Sequence, residues 1–176
     1  FVIATSPNIL LITADDLGYG DLGSFGHPVI KTPNLDKLAE EGLKLTNYYA
    51  PSALCSPSRA GLMTGRHPYR TGISSWIPRG SGVYLGEDEI TLAETLRGAG
   101  YATSHIGKWH LGRNQESSPN NQGFDDSLFM ASGLYLPEND PRVVNAKLEF
   151  DPIDKFLWAR LSYAASFNNP GNERFK

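Results

Sequence analysis

Apolar residues come in short, dense bursts along the first hundred positions. Residues 8–14 hold Ile9, Leu10, Leu11 and Ile12 in an almost continuous run. That pattern predicts a strand buried on both faces within a parallel sheet. It stops at Asp15-Asp16, followed by a turn rich in glycine, with Gly18, Gly20 and Gly23. Thr32-Pro33 predicts a helix start, since Thr caps well and Pro is tolerated at the first helical position. Leu35, Leu38 and Ala39 share one face of this helix, Lys37, Glu40 and Glu41 point away, and Gly42 supplies the stop. A later helix begins at Thr91, whose spacing to Glu94 makes a capping box. Leu92 and Leu96 give it an apolar face, Gly100 ends it, and residues 101–106 predict another strand.

Strands alternating with helices predict an α/β fold, with helices packed on a largely parallel sheet. Beyond about residue 116 the pattern weakens. Residues 117–122 predict a polar loop, residues 156–165 an amphipathic helix and residues 168–171 a turn. No closing element follows, as expected of a chain interrupted inside a larger domain. The chain has 176 residues, 40% hydrophobic and 20% charged, an ordinary balance for a globular domain with a core. No stretch approaches the roughly 20 apolar residues of a membrane helix. A net charge of -3 gives no general attraction for nucleic acid, so an anionic ligand must be captured by local positive charge. The single cysteine excludes an internal disulfide.

Three clusters carry candidate chemistry. Asp15 and Asp16 follow the first predicted strand, at the strand end where open α/β sheets place ligands. Adjacent carboxylates repel, and a divalent cation that takes oxygen ligands, Ca²⁺ or Mg²⁺, would reconcile them; a capped turn with a solvated second carboxylate is the simpler alternative. In Cys55-Ser56-Pro57-Ser58-Arg59, Ser56 suits a cap and Pro57 a first helical position. Cys55 then lies just before a helix N-terminus, where free N–H groups favour an anion, with Arg59 about one turn in. A buried structural cysteine is the alternative, and it gives no reason for an arginine so near. Lys108 and His110, in Gly107-Lys108-Trp109-His110, follow the strand of residues 101–106. Two apart, they project to one side if the backbone is extended. A fixed cation beside a titratable imidazole suits release of an anionic group.

Cys55-Ser56-Pro57-Ser58-Arg59 with Thr64-Gly65 resembles the first signature of the sulfatase family. Residues 100–110 resemble its second signature, and residues 7–16 resemble its opening strand and metal loop. The order is the family's, and the three elements span about residues 7–125, with residues 126–176 a less defined continuation of the same catalytic domain. The resemblance, nearest in flavour to arylsulfatases and N-acetylgalactosamine-6-sulfatases, implies an alkaline-phosphatase-like α/β sandwich. It implies that Cys55 is oxidised by a maturation enzyme to formylglycine, whose hydrate attacks the sulfur of a sulfate monoester. It implies that Asp15, Asp16 and residue 55 hold a cation, Ca²⁺ or alternatively Mg²⁺. By the same resemblance Arg59 steadies the formylglycine, Lys108 contacts the sulfate, and His110 assists proton removal. Sulfated small molecules or glycans become the expected substrates, and export the expected destination. His27, His67 and His105 match no such position, and His105 is read as structural.

The family's further metal ligands, a second lysine and a second histidine are not found in residues 126–176. Asp125-Asp126 comes too early to replace them. The rival readings are a phosphate ester hydrolase on the same scaffold, where Ser or Thr usually stands in place of Cys55, and an inactive anion-binding remnant. A thiol hydrolase using Cys55 and His110 would leave the paired aspartates unexplained.

Overall fold

The computed structural model describes residues 6–130, except 79, 80, 113 and 115, together with residues 143–144 and 164–165. The chain divides into two compact units, residues 1–49 and residues 50–176.

In the first unit, helix α1 spans Pro33–Glu41. Pro33 stands at its start, but the Thr32 side chain does not cap it. The Thr32 hydroxyl instead accepts from the Gly23 N–H at 2.8 Å and donates to Asp36 Oδ1 at 2.8 Å. Asp36 also accepts from the Ser24 N–H. These bonds hold a 3-10 turn, Gly23–Phe25, against the helix. The strand expected at residues 8–14 does not form: Leu10 is 85% exposed and Ile12 77%. A strand needs a neighbour to satisfy its backbone groups, and the sheet of the described residues lies wholly in the second unit.

In the second unit, α2 spans Cys55–Thr64, and Gly65 ends it in the left-handed region at φ 64°. Helix α3 spans Leu92–Gly98 with the full capping box: Glu94 N–H donates to Thr91 Oγ1, and Thr91 N–H donates to the Glu94 carboxylate. Gly100, at φ 89°, lets the N–H groups of residues 100 and 101 reach Arg97 O and Leu96 O, closing the helix. The strand that follows, β1, is Ser104–Lys108, later than expected by about two residues. It pairs in parallel with β2, Asp126–Met130. Two short strands complete a sheet of order β1-β2-β4-β3, with β3 at Val143–Val144 and β4 at Ala164–Ala165, both antiparallel to their neighbours. Residues 164 and 165 thus end in strand rather than helix; residues 156–163 and 168–171 of the other expectations lie outside the described residues.

The core of this unit joins Ala60 of α2, Ile73, Ile77 and Leu85 of the connecting segment, Trp109 and Leu111 after β1, and Phe129 of β2. The polar segment 117–122 is largely buried rather than a surface loop. Its polar groups serve as partners: Ser117 O accepts from Trp109 Nε1 at 2.7 Å, and Gln122 O accepts from the Thr91 hydroxyl at 2.6 Å. Thr103 and Asp125 bond through both main chain and side chain, bringing β2 into register beside β1.

Candidate active site

Cys55 is the first residue of α2, not the residue before it, and it is half-buried. Leu54 occupies the cap position and contributes no side-chain bond. Ser56 does not cap either. Its hydroxyl is fully buried and accepts from the Ile77 N–H at 3.0 Å. The sequence suggested a cap because Ser commonly serves as one; tertiary contact has redirected the side chain.

Two links join this end of α2 to the far end of β1. The half-buried Arg59 guanidinium donates to the main-chain carbonyl of Lys108, the last residue of β1. His110, 6% exposed, donates from Nε2 to Ile77 O at 3.0 Å. His110 itself has φ 61°, in the left-handed region. The backbone is therefore not extended through residues 108–110, and simple alternation does not govern how Lys108 and His110 are directed. Trp109 between them is 1% exposed, and its ring meets His105 and Phe124 edge to face. Trp76, 41% exposed, lies with its ring 6.0 Å from that of His110.

His105 stands behind the site on β1, edge-on to Trp109, Phe124 and Phe129. Burial, reinforced by the charge of Arg59, lowers its pKa from 6.5 to about 4, against an opposing backbone hydrogen bond with Lys108. The ring is therefore neutral at neutral pH. His27 accepts two N–H bonds in its own turn, and His67 stacks on Tyr69.

Asp15 and Asp16 form an exposed turn in the first unit, with Asp16 at φ 57°. Among the described residues no three His, Cys, Asp or Glu side chains gather as a cation site. Asp125 accepts from both the N–H and the hydroxyl of Thr103. Cys55, Arg59, Lys108 and His110 all belong to the second unit, and the two links above tie their segments together. The linking contacts of Ser56 and Ile77 carried no sequence signal, because they span 21 and 33 positions.

The sequence profile of the Sulfatase family matches residues 7–162. The chain belongs to the sulfatase family. It is 55% identical over 125 residues to bovine (Bos taurus) arylsulfatase A, an alignment covering 69% of this chain and 24% of that protein. It is 44% identical over 128 residues to human N-acetylgalactosamine-6-sulfatase, covering 68% of this chain and 24% of the relative. The chain thus spans about a quarter of the length of these curated relatives. Among solved structures it resembles Ps i-CgsB, with a TM-score of 0.71 and 42% identity, over 73% of this chain and 29% of that one. That protein has also been solved in complex with k-i-k-neocarrahexaose. The PsFucS1 sulfatase from Pseudoalteromonas sp. gives a TM-score of 0.60 at 42% identity, over 66% of this chain and 24% of that one. These likenesses bear out the α/β, alkaline-phosphatase-like fold.

Proposed function

We propose that the protein containing this chain hydrolyses sulfate monoesters, with Cys55 as the precursor of its nucleophile. The observation that carries the reading is the double tie between the Cys55 helix and the Lys108–His110 segment, through Arg59 and through Ile77. It ties the segments that carry Cys55, Arg59, Lys108 and His110 to one another within one unit. Family membership supports the reaction class.

Family membership supports conversion of Cys55, the first residue of α2, to formylglycine. Formylglycine supplies, when hydrated, one hydroxyl to accept the sulfuryl group and a second to expel it as sulfate. Arg59, one of whose donors is fixed on the Lys108 carbonyl, steadies the formylglycine at position 55. Lys108 binds a sulfate oxygen as a point charge, and His110 takes a proton at the residue-55 hydroxyl. Asp15 and Asp16 offer the hard oxygen donors that suit Ca²⁺, with Mg²⁺ as the alternative. Such a cation supplies Lewis-acid stabilisation of the reacting oxygens. Even with an oxygen from residue 55, these carboxylates fall short of the about six to eight oxygens that Ca²⁺ takes, so the site requires further ligands.

The substrate class is a sulfated small molecule or glycan. The oligosaccharide bound to the similar Ps i-CgsB favours the glycan branch. A maturation enzyme acting on Cys55 and export from the cytosol complete the proposal, both on family resemblance; no helix among the described residues is long and apolar enough to cross a membrane.

The test is a chromogenic aryl sulfate and its phosphate counterpart, assayed with the full-length protein in added Ca²⁺, beside mass spectrometry of the Cys55 peptide. The proposal expects an aldehyde mass and turnover of the sulfate. An intact thiol with preference for the phosphate would favour the rival hydrolase, and anion binding without turnover would favour a remnant.

A further inference from the structure

Ile77 is held at both of its main-chain polar groups by residues of the candidate site. Its N–H donates to Ser56 Oγ at 3.0 Å, and its carbonyl accepts from His110 Nε2 at 3.0 Å. Ser56, Ile77 and His110 are 0%, 2% and 6% exposed, so water does not compete for these bonds. The two groups lie in adjacent peptide units on either side of one Cα. Fixing the first restricts the rotation that would turn the second away.

A carbonyl oxygen can only accept, so His110 Nε2 must carry hydrogen. In the neutral ring the lone pair then lies on Nδ1, and this nitrogen is the one able to take a proton. The imidazole sits on a backbone at φ 61°, a conformation costly for a residue with a side chain. Its orientation is therefore imposed by tertiary contacts, of which the Ile77 carbonyl is one. Ser56, next to Cys55 in sequence, holds the N–H of Ile77.

We propose that Ser56 is a positioning residue for His110, acting through the Ile77 main chain to hold the imidazole in its Nε2–H tautomer. This rests on the sulfatase reading, because it assigns a proton-accepting task to Nδ1. The adjacency to Cys55 has a chemical purpose in this scheme: the reacting position and the device that orients its base are consecutive residues on one helix.

The test uses the full-length protein, with aryl sulfate turnover normalised to the fraction of residue 55 converted to aldehyde, measured by mass. Ser56→Ala is expected to lower kcat about 10- to 100-fold, with KM changed less than about twofold. Ser56→Thr, which keeps the hydroxyl, is expected to recover most of the loss. Nitrogen-15 spectra of labelled histidine are expected to give His110 as the Nε2–H tautomer in wild type and as a mixture in Ser56→Ala. Unchanged kcat in Ser56→Ala, or an Nδ1–H tautomer in wild type, overturns the proposal. If Ser56→Ala does not fold, the wild-type tautomer and the Ser56→Thr kinetics decide. Failure of the sulfatase reading is separable, because fully converted wild type would then show no sulfate turnover while the tautomer remained readable.

Discussion

The guanidinium of Arg59 donates to the main-chain carbonyl of Lys108, so the helix that begins with Cys55 is fastened to the end of strand β1. A guanidinium is a rigid fork, whereas an ammonium is a mobile point charge on a flexible stem. Arg59→Lys in the full-length protein is therefore expected to lose about 100-fold or more in kcat/KM on an aryl sulfate. Steady-state kinetics at matched Cys55 conversion checks this, and near-normal values would remove Arg59 from the site.

Cys55→Ala deletes one sulfur atom from a half-buried helix start. Stability is expected to fall by no more than about 1 kcal/mol, while sulfate turnover disappears. Circular dichroism melting beside the activity assay separates the two effects. Substantial residual turnover would reject Cys55 as the nucleophile precursor.

His105 gives the fold a defined acid sensitivity. Its pKa is 6.5 when free and about 4 in the folded chain, lowered by burial and then by Arg59. The unfolded chain binds this proton more readily, so stability is full above the unfolded value and declines as pH falls from there toward about 4. Below the folded value both states are protonated and no further loss comes from this residue. At about 1.4 kcal/mol per pH unit, the whole span is worth up to about 3 kcal/mol. His105→Phe keeps an aromatic ring in the same contacts and is expected to flatten this part of the profile. Urea unfolding of both proteins at neutral and mildly acidic pH measures the difference; parallel profiles would contradict it.

Gly123 adopts φ 97°, and a Cβ there would lie 2.4 Å from the backbone nitrogen of Glu94. Gly123→Ala would thus drive the turn before β2 into the capped first turn of α3. Both the conformational penalty and the clash act, giving an expected loss of about 2–4 kcal/mol. A denaturant melt with an unshifted midpoint would argue against such close packing.

Trp76 presents an exposed ring beside His110. If substrates approach over this face, Trp76→Ala raises KM about 3- to 10-fold for a sulfated sugar or aryl sulfate, and less for a small alkyl sulfate. Equal KM changes across the series would place the substrate ring elsewhere.

Local chemistry made several of these features legible in the sequence. The Thr91–Glu94 box formed as spelled, because both partners lie within one turn. Gly100 closes its helix in left-handed geometry that few other residues adopt. The signature residues Cys55, Arg59, Lys108 and His110 were visible as two motifs, and the packing of one unit ties them together. What failed was whatever depended on distant partners. Ile9 to Ile12 have strand composition but form no strand in the structure. Ser56 and Thr32 are good caps by type, yet both hydroxyls are drawn to bonds outside the cap position. The polar stretch 117–122 is buried because its groups satisfy Trp109 and Thr91, a need that hydropathy does not register.

Trp109 separates Lys108 from His110 and is fastened in the core, its indole N–H on Ser117 O. The two polar neighbours therefore have little independent freedom: a change in the seat of this one indole would displace both at once. Attempts to retune substrate preference have better prospects on the exposed rim around Trp76, where a side chain can be exchanged without disturbing the indole's mooring.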